Sequence, residues 1–528
     1  MNKKTRPLLA ATLVGALALS LAACGGTNKS TSGSASGSGG KTVVIDTTFD
    51  LKTADPGREY EPTGELVGKA LYDTLVTFND NDTTKTVPDL ATMQESQDLK
   101  TFTFTMVPGR VFSDGTPVTA DDVVFSLQRL QGLKGNPSFL LDGVTVTKID
   151  DKTVQLTTTD PAPALPAILA DPSCGILNKA VVVKNGGTTD STDKAEKYLN
   201  TASAGSGPYM IKSLDVATKV TLVKNPKYNG TEKPTYNTVV LRNVVGSTQA
   251  MNVQRGDSQV ALDLSGEQAK SVGSKVKVES VPSGYTIFLL VNQDPSVSKT
   301  TSDPNFLKAV KLGVDYSGIV SVAGPGAIQA TGLIPSQFLG TLSATDELKF
   351  DSAAAKAALA QVATKGAVTL SYPNDVNLGG LEFQTVAEKI QAQLKTIGIT
   401  VNLAPQPVAV ELDAYRNGKE QMGLWYWGPD YMDPAGYLPF SPGQSVGLRA
   451  GWKTGADSTV EQLAQQALTT SAQADRQTIF QQWGKAMLQD GPFVPLLQPP
   501  SNIAHDPSVT NVTFNPVWIL NVAAIGSK

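Results

Sequence analysis

The sequence predicts an α/β or α+β protein that folds into several lobes. Of its 528 residues, 40% are hydrophobic and 17% are charged, which is enough apolar material for more than one core. Segments with strand periodicity and segments with helix periodicity are mixed along the chain without a strict βαβ alternation. We therefore expect two or three structural units.

Strands dominate the predicted elements of the first half. The segment TFTFTMV alternates apolar and polar positions, which is the period of a half-buried strand. Thr119 is predicted to cap a helix because Asp122 follows three residues later, as in a capping box. The remaining elements here are the strands TVVID, KVTLVKN, YNTVVLRNV and YTIFLLVNQ, and a helix leading into a strand in VGKALYDTLVTF.

Helices are more frequent in the second half. Asp351 is predicted to cap the helix DSAAAKAALAQV. FQTVAEKIQAQLKTIG is predicted to be an amphipathic helix that ends at Gly398 and leads into the strand ITVNL. Its apolar stripe consists of Val386, Ile390, Leu394 and Ile397. A further helix is predicted in ADRQTIFQQWGKAMLQDG, with Ile479, Trp483 and Met487 on one side.

The N-terminus predicts export and a lipid anchor. Residues 1–23 combine a cationic start with a short apolar run, as in a secretory signal peptide. LAAC, ending at Cys24, resembles a bacterial lipobox, in which the cysteine is acylated; a plain signal peptide is the alternative. Residues 24–40 are rich in Gly and Ser and are predicted to be a flexible tether. With Cys24 lipidated, Cys174 would be the only thiol left.

Composition argues against several functional classes. Lys and Arg total 44 against 48 Asp and Glu, a net charge of -4, so no nucleic acid partner is expected. The chain has one histidine and two cysteines, and we expect no metal site and no cofactor.

Two short motifs match sequence patterns of nucleotide-binding proteins and hydrolases, but the secondary structure predicted around them is not the one these patterns require. ASGSGGKT at 35–42 follows the Gly/Ser tract and precedes a predicted strand, whereas a P-loop lies between a strand and a helix. GQSVG at 443–447 would place Ser445 at a nucleophile elbow, with His505 and one of three aspartates completing a triad. Those aspartates are Asp457, Asp475 and Asp490. The elbow needs a strand leading in, but two prolines precede it, so a serine hydrolase is a distant alternative.

VFSDGTPVTADDVVFSL at 111–127 resembles the hallmark of the extracellular solute-binding proteins of family 5, the dipeptide- and oligopeptide-binding group of ABC importers. Five further matches follow the same order as in that family. They are ADP at 54–56, GSGPYMI at 205–211, NPKYNG at 225–230, LKAVKLGVDYSGIV at 307–320 and GPFVPL at 491–496. The resemblance covers essentially the whole chain after the tether.

The resemblance implies an α/β, bilobal, periplasmic-binding-protein-like fold of type II in its three-lobe peptide-binding variant. Lobe I would comprise 41–85, 205–284 and 496–528, with lobe II inserted at 86–204 and lobe III at 285–495. The hinge would lie at two crossovers near Gly284 and Pro495. Ligand would be enclosed when lobe III closes on lobe I.

The same resemblance gives the stretch WYWGPDYMDP a role. Asp430 matches the aspartate that binds the α-ammonium group of the peptide in relatives. A desolvated carboxylate becomes favourable chiefly when a cation compensates it, so Asp430 would select ligands with a free amino group. Trp427 matches an aromatic residue that lines a side-chain pocket. The candidate site also includes Trp425, Tyr426, Gly428, Pro429 and Tyr431.

Alternatives remain open for these residues. In the alternative, all four aromatic rings are core packing and Asp430 only caps a turn. Alternation also predicts that one of Trp425 and Tyr426 packs into the lobe core. Asp433 is expected to fix the turn through an Asx hydrogen bond.

Loops of the opposite lobe supply the other candidates, by position only. They are Tyr60 and Glu61 in one loop and Leu262 and Asp263 in another, and plain solvated turns are the alternative. The loop SYPNDVNLGGL lacks the arginine with which some dipeptide-specific relatives bind the ligand carboxylate. Longer peptides, a replacement such as Arg449, or a different ligand would account for that absence.

The sequence therefore predicts a monomeric, lipid-anchored receptor that is not an enzyme. It would capture di- to oligopeptides outside the membrane, on a Gram-positive surface in preference to a periplasm, and deliver them to the transmembrane subunits of an ABC permease. The main alternative is another solute bound by the same fold, namely an oligosaccharide, a nickel chelate or an opine.

Overall fold

Two large sheets and one smaller sheet organise residues 41–80 and 82–528, the part of the chain that the computed structural model describes. The predicted signal peptide at 1–23, the tether at 24–40 and the lipidation site Cys24 lie outside the described residues, as does most of ASGSGGKT. The strand Thr42–Thr47 begins at the last residue of that motif.

The first large sheet has seven strands that come from distant parts of the sequence. Thr42–Thr47 lies at its centre and pairs in parallel with Thr238–Asn243 and Val260–Ala261. In spatial order the strands are Lys277–Pro282, Pro500–His505, Val260–Ala261, Thr42–Thr47, Thr238–Asn243, Lys219–Lys224 and Tyr209–Asp215.

The second large sheet has six strands, and Met422–Trp427 is one of its inner strands. This strand pairs antiparallel with Thr286–Val291 and parallel with Val368–Pro373. In spatial order the strands are Ile328–Gln329, Phe493–Gln498, Thr286–Val291, Met422–Trp427, Val368–Pro373 and Val401–Gln406.

Smaller sheets complete the β-structure. An antiparallel sheet of four strands contains, in spatial order, Ala91–Glu95, Thr101–Met106, Thr153–Thr158 and Val144–Asp150. The two-stranded pairs are Val76–Asn79 with Asp82–Pro88, Asn377–Leu378 with Leu381–Glu382, Val509–Thr510 with Gly526–Ser527, and Phe514–Asn515 with Ile519–Leu520.

Helices cover the sheets and connect them. The α-helices are Pro62–Leu71, Ala120–Gly132, Leu165–Ile168, Lys179–Lys184, Glu196–Leu199, Gly246–Arg255, Gly266–Ser271, Pro304–Gly313, Tyr316–Ala323, Ser352–Ala360, Phe383–Ile397, Val408–Arg416, Ser445–Arg449, Ser458–Thr469 and Gln473–Asp490. The 3₁₀ helices are Asn136–Leu141, Pro172–Cys174, Ala344–Asp346 and Pro434–Phe440. Within the described ranges, no helix is long and apolar enough to cross a membrane.

The local sequence signals are confirmed where they were strongest. Thr119 and Asp122 form the predicted capping box of the helix Ala120–Gly132. Helix Phe383–Ile397 ends at Gly398, whose φ of 100° is a left-handed conformation that glycine adopts without strain. The four residues of its predicted stripe are all buried against the six-stranded sheet, at Val386, Ile390, Leu394 and Ile397. In helix Gln473–Asp490, Trp483 and Met487 are buried and Ile479 is half-buried.

The chain passes twice between the two large sheets. At residues 283–285 it leaves the seven-stranded sheet for the six-stranded one, and at Pro499 it returns. The two passages are bonded to each other: Ser283 N donates to Pro499 O at 2.8 Å, and Gln498 Nε2 donates to Ser283 O at 3.0 Å. Because the strands on both sides also pair antiparallel, the connection between the sheets is a two-stranded strap.

The predicted lobe boundaries stay a prediction. Gly284 lies within the first passage, whereas Pro495 lies inside the strand Phe493–Gln498, so the second passage is at Pro499. Separate apolar clusters pack on the seven-stranded sheet and on the helix-covered face of the six-stranded sheet. A third cluster runs from the four-stranded sheet to the helices of 434–490.

Candidate ligand-binding site

A cavity of about 960 Å³ lies where the two large sheets face each other. One wall comes from the ends of strands in the seven-stranded sheet and from the loop that carries Tyr60. The other wall comes from residues 428–432, which follow the strand Met422–Trp427, and from the hairpin at 377–380. Residues 283–285 of the strap close one side. A volume of this size accommodates a small solute of several residues.

The loop at 428–432 is held by contacts at both of its ends. At its start, a Cβ on Gly428 would overlap the ring of Tyr285, so only glycine fits there. At its end, Asp433 Oδ1 accepts a hydrogen bond from Ala435 N at 2.9 Å, which confirms the predicted Asx turn. Asp433 also forms a buried, bidentate ion pair with Arg476 at 2.7 and 2.8 Å. These contacts fix the backbone of the loop that carries Asp430.

Asp430 joins the two walls of the cavity. Its Oδ1 accepts a hydrogen bond of 2.8 Å from the hydroxyl of Tyr60, on the opposite wall. The side chain is exposed, but the surrounding protein partly desolvates it and raises the pKa of the carboxyl. The hydrogen bond from Tyr60 opposes that rise. A cation entering the cavity would find here a carboxylate with one oxygen committed to a neutral donor.

The loop that carries Tyr60 is anchored by a buried charge network. Arg129 donates to Asp55 at 2.6 and 2.7 Å and to Asp193 twice at 2.8 Å, and all three residues are buried. Arg58 adds bonds to Asp55 at 2.7 Å and Asp193 at 3.0 Å. The ring of Tyr60 packs edge-on against another aromatic ring. The position of the hydroxyl that meets Asp430 therefore depends on this network.

Eight of the predicted site residues line the cavity. They are Tyr60, Leu262, Asp263, Tyr426, Gly428, Pro429, Asp430 and Tyr431. Asp263 has a structural task as well, because its Oδ2 accepts hydrogen bonds of 2.9 Å from Thr47 Oγ1 and Gln249 Nε2.

The two tryptophans of the predicted site lie in the core. Trp425 stacks on Tyr415, with ring centroids 4.2 Å apart, and donates from Nε1 to Glu420 at 2.9 Å. Trp427 is half-buried and packs edge-on against Phe440 at 5.2 Å. Side chains alternate along a strand, so both tryptophans share one face of Met422–Trp427, and Tyr426 faces the cavity from the other. The expectation that Trp427 lines a ligand pocket conflicts with this alternation.

Glu61 and Arg449 are engaged elsewhere. Glu61 pairs with Lys52, and Arg449 lies over the ring of Tyr415, 4.6 Å from its centroid. The hairpin at 377–380 does reach the cavity, since Gly379 and Gly380 pack too closely against the opposite wall to carry a side chain. Among the described lining residues there is no Lys, Arg or His. Arg449 therefore does not supply the missing carboxylate clamp.

Sequence reasoning missed several lining residues, notably Glu65, Asp171 and Tyr285. Glu65 stands in the first turn of helix Pro62–Leu71, where an acidic residue is ordinary because it complements the helix dipole. Asp171 accepts from Ser173 N at 2.9 Å and caps a 3₁₀ helix, as aspartates commonly do. Neither residue therefore carried a signal of a binding site in the sequence.

We expect the ligand-free protein to become more stable as the pH falls from 7 to 5. Burial raises the pKa of Asp171 to about 6, above its value in the unfolded chain, and also raises the pKa of Glu59 and Glu65. The folded state therefore binds more protons, and the stability gained by protonation is complete near pH 4 and lost as the pH rises through about 6. Asp171 alone should contribute on the order of 1 kcal/mol. Urea unfolding at pH 7 and at pH 5 measures this difference in the free energy of unfolding.

Asp171→Asn is the matched variant for that measurement. It keeps an oxygen for the cap at Ser173 but removes the titrating group, so the stability gain between pH 7 and 5 should shrink. A wild-type protein that loses stability over this pH range would contradict the expectation.

Comparison with known families and proteins agrees with this architecture. Residues 85–446 match the family described as bacterial extracellular solute-binding proteins, family 5 Middle. The chain belongs to this family. The predicted family and the α/β, periplasmic-binding-protein-like fold are thereby confirmed.

Individual relatives of this family 5 protein align over most of its length. The probable D,D-dipeptide-binding periplasmic protein DdpA of Escherichia coli is 29% identical over 490 residues, which cover 90% of this chain and 92% of DdpA. The periplasmic oligopeptide-binding protein OppA of Salmonella typhimurium is 24% identical over 441 residues, 78% of each chain. The crystal structure of the ABC transporter substrate binding protein CtaP of Listeria monocytogenes matches in fold with a TM-score of 0.78 at 19% identity, over 93% of this chain and 99% of CtaP.

The geometry at Ser445 differs from a nucleophile elbow. A 3₁₀ helix, Pro434–Phe440, precedes it where the elbow needs a strand, and Ser445 opens a helix of five residues. His505 lies in a strand of the seven-stranded sheet, where its Nδ1 is 3.0 Å from Asp506 O. The structure thus provides no support for the hydrolase alternative.

Proposed function

We propose that this family 5 protein is the peptide receptor of an ABC importer. It captures peptides in the cavity between the two large sheets and delivers them to the transmembrane subunits of a permease. The observation that carries the proposal is Asp430, a partly desolvated carboxylate on the cavity wall whose partner in the described chain is the neutral hydroxyl of Tyr60. A peptide ammonium group supplies the cation that this carboxylate lacks.

The relatives support a peptide as the solute. DdpA and OppA are named for dipeptides and oligopeptides, and both align over more than three quarters of this chain. Hydrogen bonds to the main chain of a peptide do not depend on its side chains, and the amide side chain of Asn377 lines the cavity in a position suited to them.

The strap at 283–285 and Pro499 is the proposed hinge between lobe I and lobe III. Both passages are short and bonded to each other, so a change of their backbone angles would move the six-stranded sheet relative to the seven-stranded one. Closing the lobes would exclude water around Asp430 and strengthen its pairing with an ammonium group. Export and anchoring through Cys24, on a Gram-positive surface, complete the proposal.

An oligosaccharide is the second candidate. Four tyrosines, Tyr60, Tyr285, Tyr426 and Tyr431, line the cavity, and aromatic rings with a nearby carboxylate also suit sugars.

Thermal unfolding with a ligand panel tests the proposal. The panel contains the unblocked tripeptides Ala-Ala-Ala and Lys-Ala-Ala, their N-acetylated forms, maltotriose and Ni²⁺ with histidine. A ligand at 100 times its Kd stabilises the folded protein by about 2.7 kcal/mol. We expect unblocked peptides to raise the melting temperature and N-acetyl peptides to do so much less. Stabilisation by maltotriose alone, or by Ni²⁺ with histidine alone, would overturn the peptide assignment.

A further inference from the structure

A second group of carboxyl groups lies beside Asp430 on the cavity wall. Glu65 and Asp171 both line the cavity, and both are more than nine-tenths buried, at 6% and 4% exposure. Glu59 lies directly behind them, fully buried and packed against Gly64 and Gly68 of helix Pro62–Leu71. We name Glu59, Glu65 and Asp171 the acidic pocket. Tyr60, whose hydroxyl donates to Asp430, follows Glu59 in the chain.

The acidic pocket lacks a positive partner in the described part of the chain. One oxygen of Glu65 accepts a hydrogen bond of 3.3 Å from Ser173 Oγ, while its Oε2 is buried without a partner. Both carboxyl oxygens of Glu59 are likewise buried without a partner. Leaving a buried polar atom unpaired costs about 1 to 3 kcal/mol, and more for a charged one. An unpaired, buried carboxyl oxygen at the cavity wall is accordingly a position where a ligand donor would be bound strongly.

Two other carboxylates of the cavity wall accept hydrogen bonds from protein groups. Asp50 Oδ1 accepts from Thr63 N at 2.9 Å, and Asp263 accepts from Thr47 and Gln249. Five lining residues are acidic and, among the described lining residues, none is basic. A ligand with one ammonium and one free carboxylate would find a partner for the first group only. The charge pattern favours a solute with more positive than negative groups near its amino end.

We propose that the bound solute carries two cationic groups, of which the first pairs with Asp430 and the second enters the acidic pocket at Glu65 and Asp171. In peptide terms, the second group is the side chain of a lysine, ornithine or arginine at the first or second position. This inference rests on the proposed function, because it assumes that a peptide ammonium group binds at Asp430. It narrows the ligand class from peptides in general to peptides with a basic residue near the N-terminus.

Calorimetry with matched peptides tests the inference. The pairs are Lys-Ala-Ala with norleucine-Ala-Ala, and Ala-Lys-Ala with Ala-norleucine-Ala, because norleucine retains the aliphatic stem and removes the charge. We expect at least one lysine peptide to bind about tenfold or more tightly than its norleucine partner, the effect of a charge-assisted hydrogen bond. Glu65→Gln should reduce that ratio to near one.

Two further variants make the result unambiguous. Asp171→Asn keeps the cap at Ser173 and tests the pocket independently, should Glu65→Gln fail to fold. Asp151 is almost fully exposed and pairs with Lys148, so Asp151→Asn should change the affinity for neither the lysine peptides nor the norleucine peptides.

Equal affinities for the lysine and norleucine peptides would overturn the acidic-pocket proposal and leave the peptide receptor intact. Binding of neither peptide, together with binding of maltotriose, would overturn the proposed function itself. A lysine preference that survives both Glu65→Gln and Asp171→Asn would place the second cation elsewhere and also overturn the proposal.

Discussion

Replacing Asp430 by asparagine is expected to lower the affinity for Lys-Ala-Ala by about 100-fold or more and to leave the fold intact. If the proposed closure of the lobes buries the pair, removing one partner costs about 3 to 5 kcal/mol, which corresponds to that change in Kd. Asparagine has nearly the same shape and keeps an oxygen that accepts the hydrogen bond from Tyr60, so the contact between the two walls is retained. The variant therefore isolates the negative charge.

A double-mutant cycle sharpens this test. Calorimetry would compare Lys-Ala-Ala with N-acetyl-Lys-Ala-Ala on the wild type and on Asp430→Asn. If the ammonium group pairs with Asp430, acetylation should weaken binding strongly in the wild type and little in the variant. Asp50→Asn is the matched control, because Asp50 lines the same cavity but is bonded to Thr63 N. An equally large loss of peptide affinity in Asp50→Asn would indicate a general effect of the negative potential in the cavity. An unchanged affinity in Asp430→Asn would show that Asp430 is not part of the binding site.

The elements that could be predicted from the sequence are those whose signals are local. The capping box at Thr119 and Asp122 spans four residues, and the stripe of Phe383–Ile397 with its stop at Gly398 lies within one helix. Such signals are complete in a short window because the hydrogen bonds and the buried face belong to the same element. The arrangement of the sheets needed the family resemblance, since adjacent strands such as Thr42–Thr47 and Thr238–Asn243 are far apart in the chain.

In the candidate site, too, some residues could be predicted from the sequence and others only from the folded structure. Asp430 was predicted from a family motif and Tyr60 from its loop position alone, and the structure brings them together across 370 positions of sequence. Strand alternation puts Trp425 and Trp427 on one face, but the sequence does not show which face of the strand lines the cavity. The acidic pocket was not predictable, since Glu65 and Asp171 each have an ordinary local explanation as a helix-dipole partner and a cap. Their significance depends on burial, unpaired oxygens and a shared cavity, which are properties of the folded chain.

Replacing Arg129 should strongly destabilise the folded protein. Arg129→Met would leave Asp55 and Asp193 buried with only Arg58, which is partly exposed, to compensate them. We expect the free energy of unfolding to fall by about 3 to 5 kcal/mol, the cost of leaving buried charges unpaired. Urea unfolding at pH 7 measures this loss. Arg58→Met is the matched control and should cost less, because Arg129 retains its four bonds to the two aspartates.

The pH dependence identifies the cause of that loss. Burial tends to raise the pKa of Asp193, but the hydrogen bond and the charge of Arg129 lower it to about 2. In the wild type, the stability from this pairing is present above the unfolded pKa of about 4 and is lost as the pH falls toward 2. Without Arg129, Asp193 should take up a proton more readily, so the difference between wild type and variant should shrink between pH 7 and 4. The triple variant Arg129→Met, Asp55→Asn, Asp193→Asn should recover part of the stability, because it removes the buried charges as well as their partner. A constant difference across this pH range would mean that packing around the Arg129 side chain, and not its charge, anchors the loop that presents Tyr60 to Asp430.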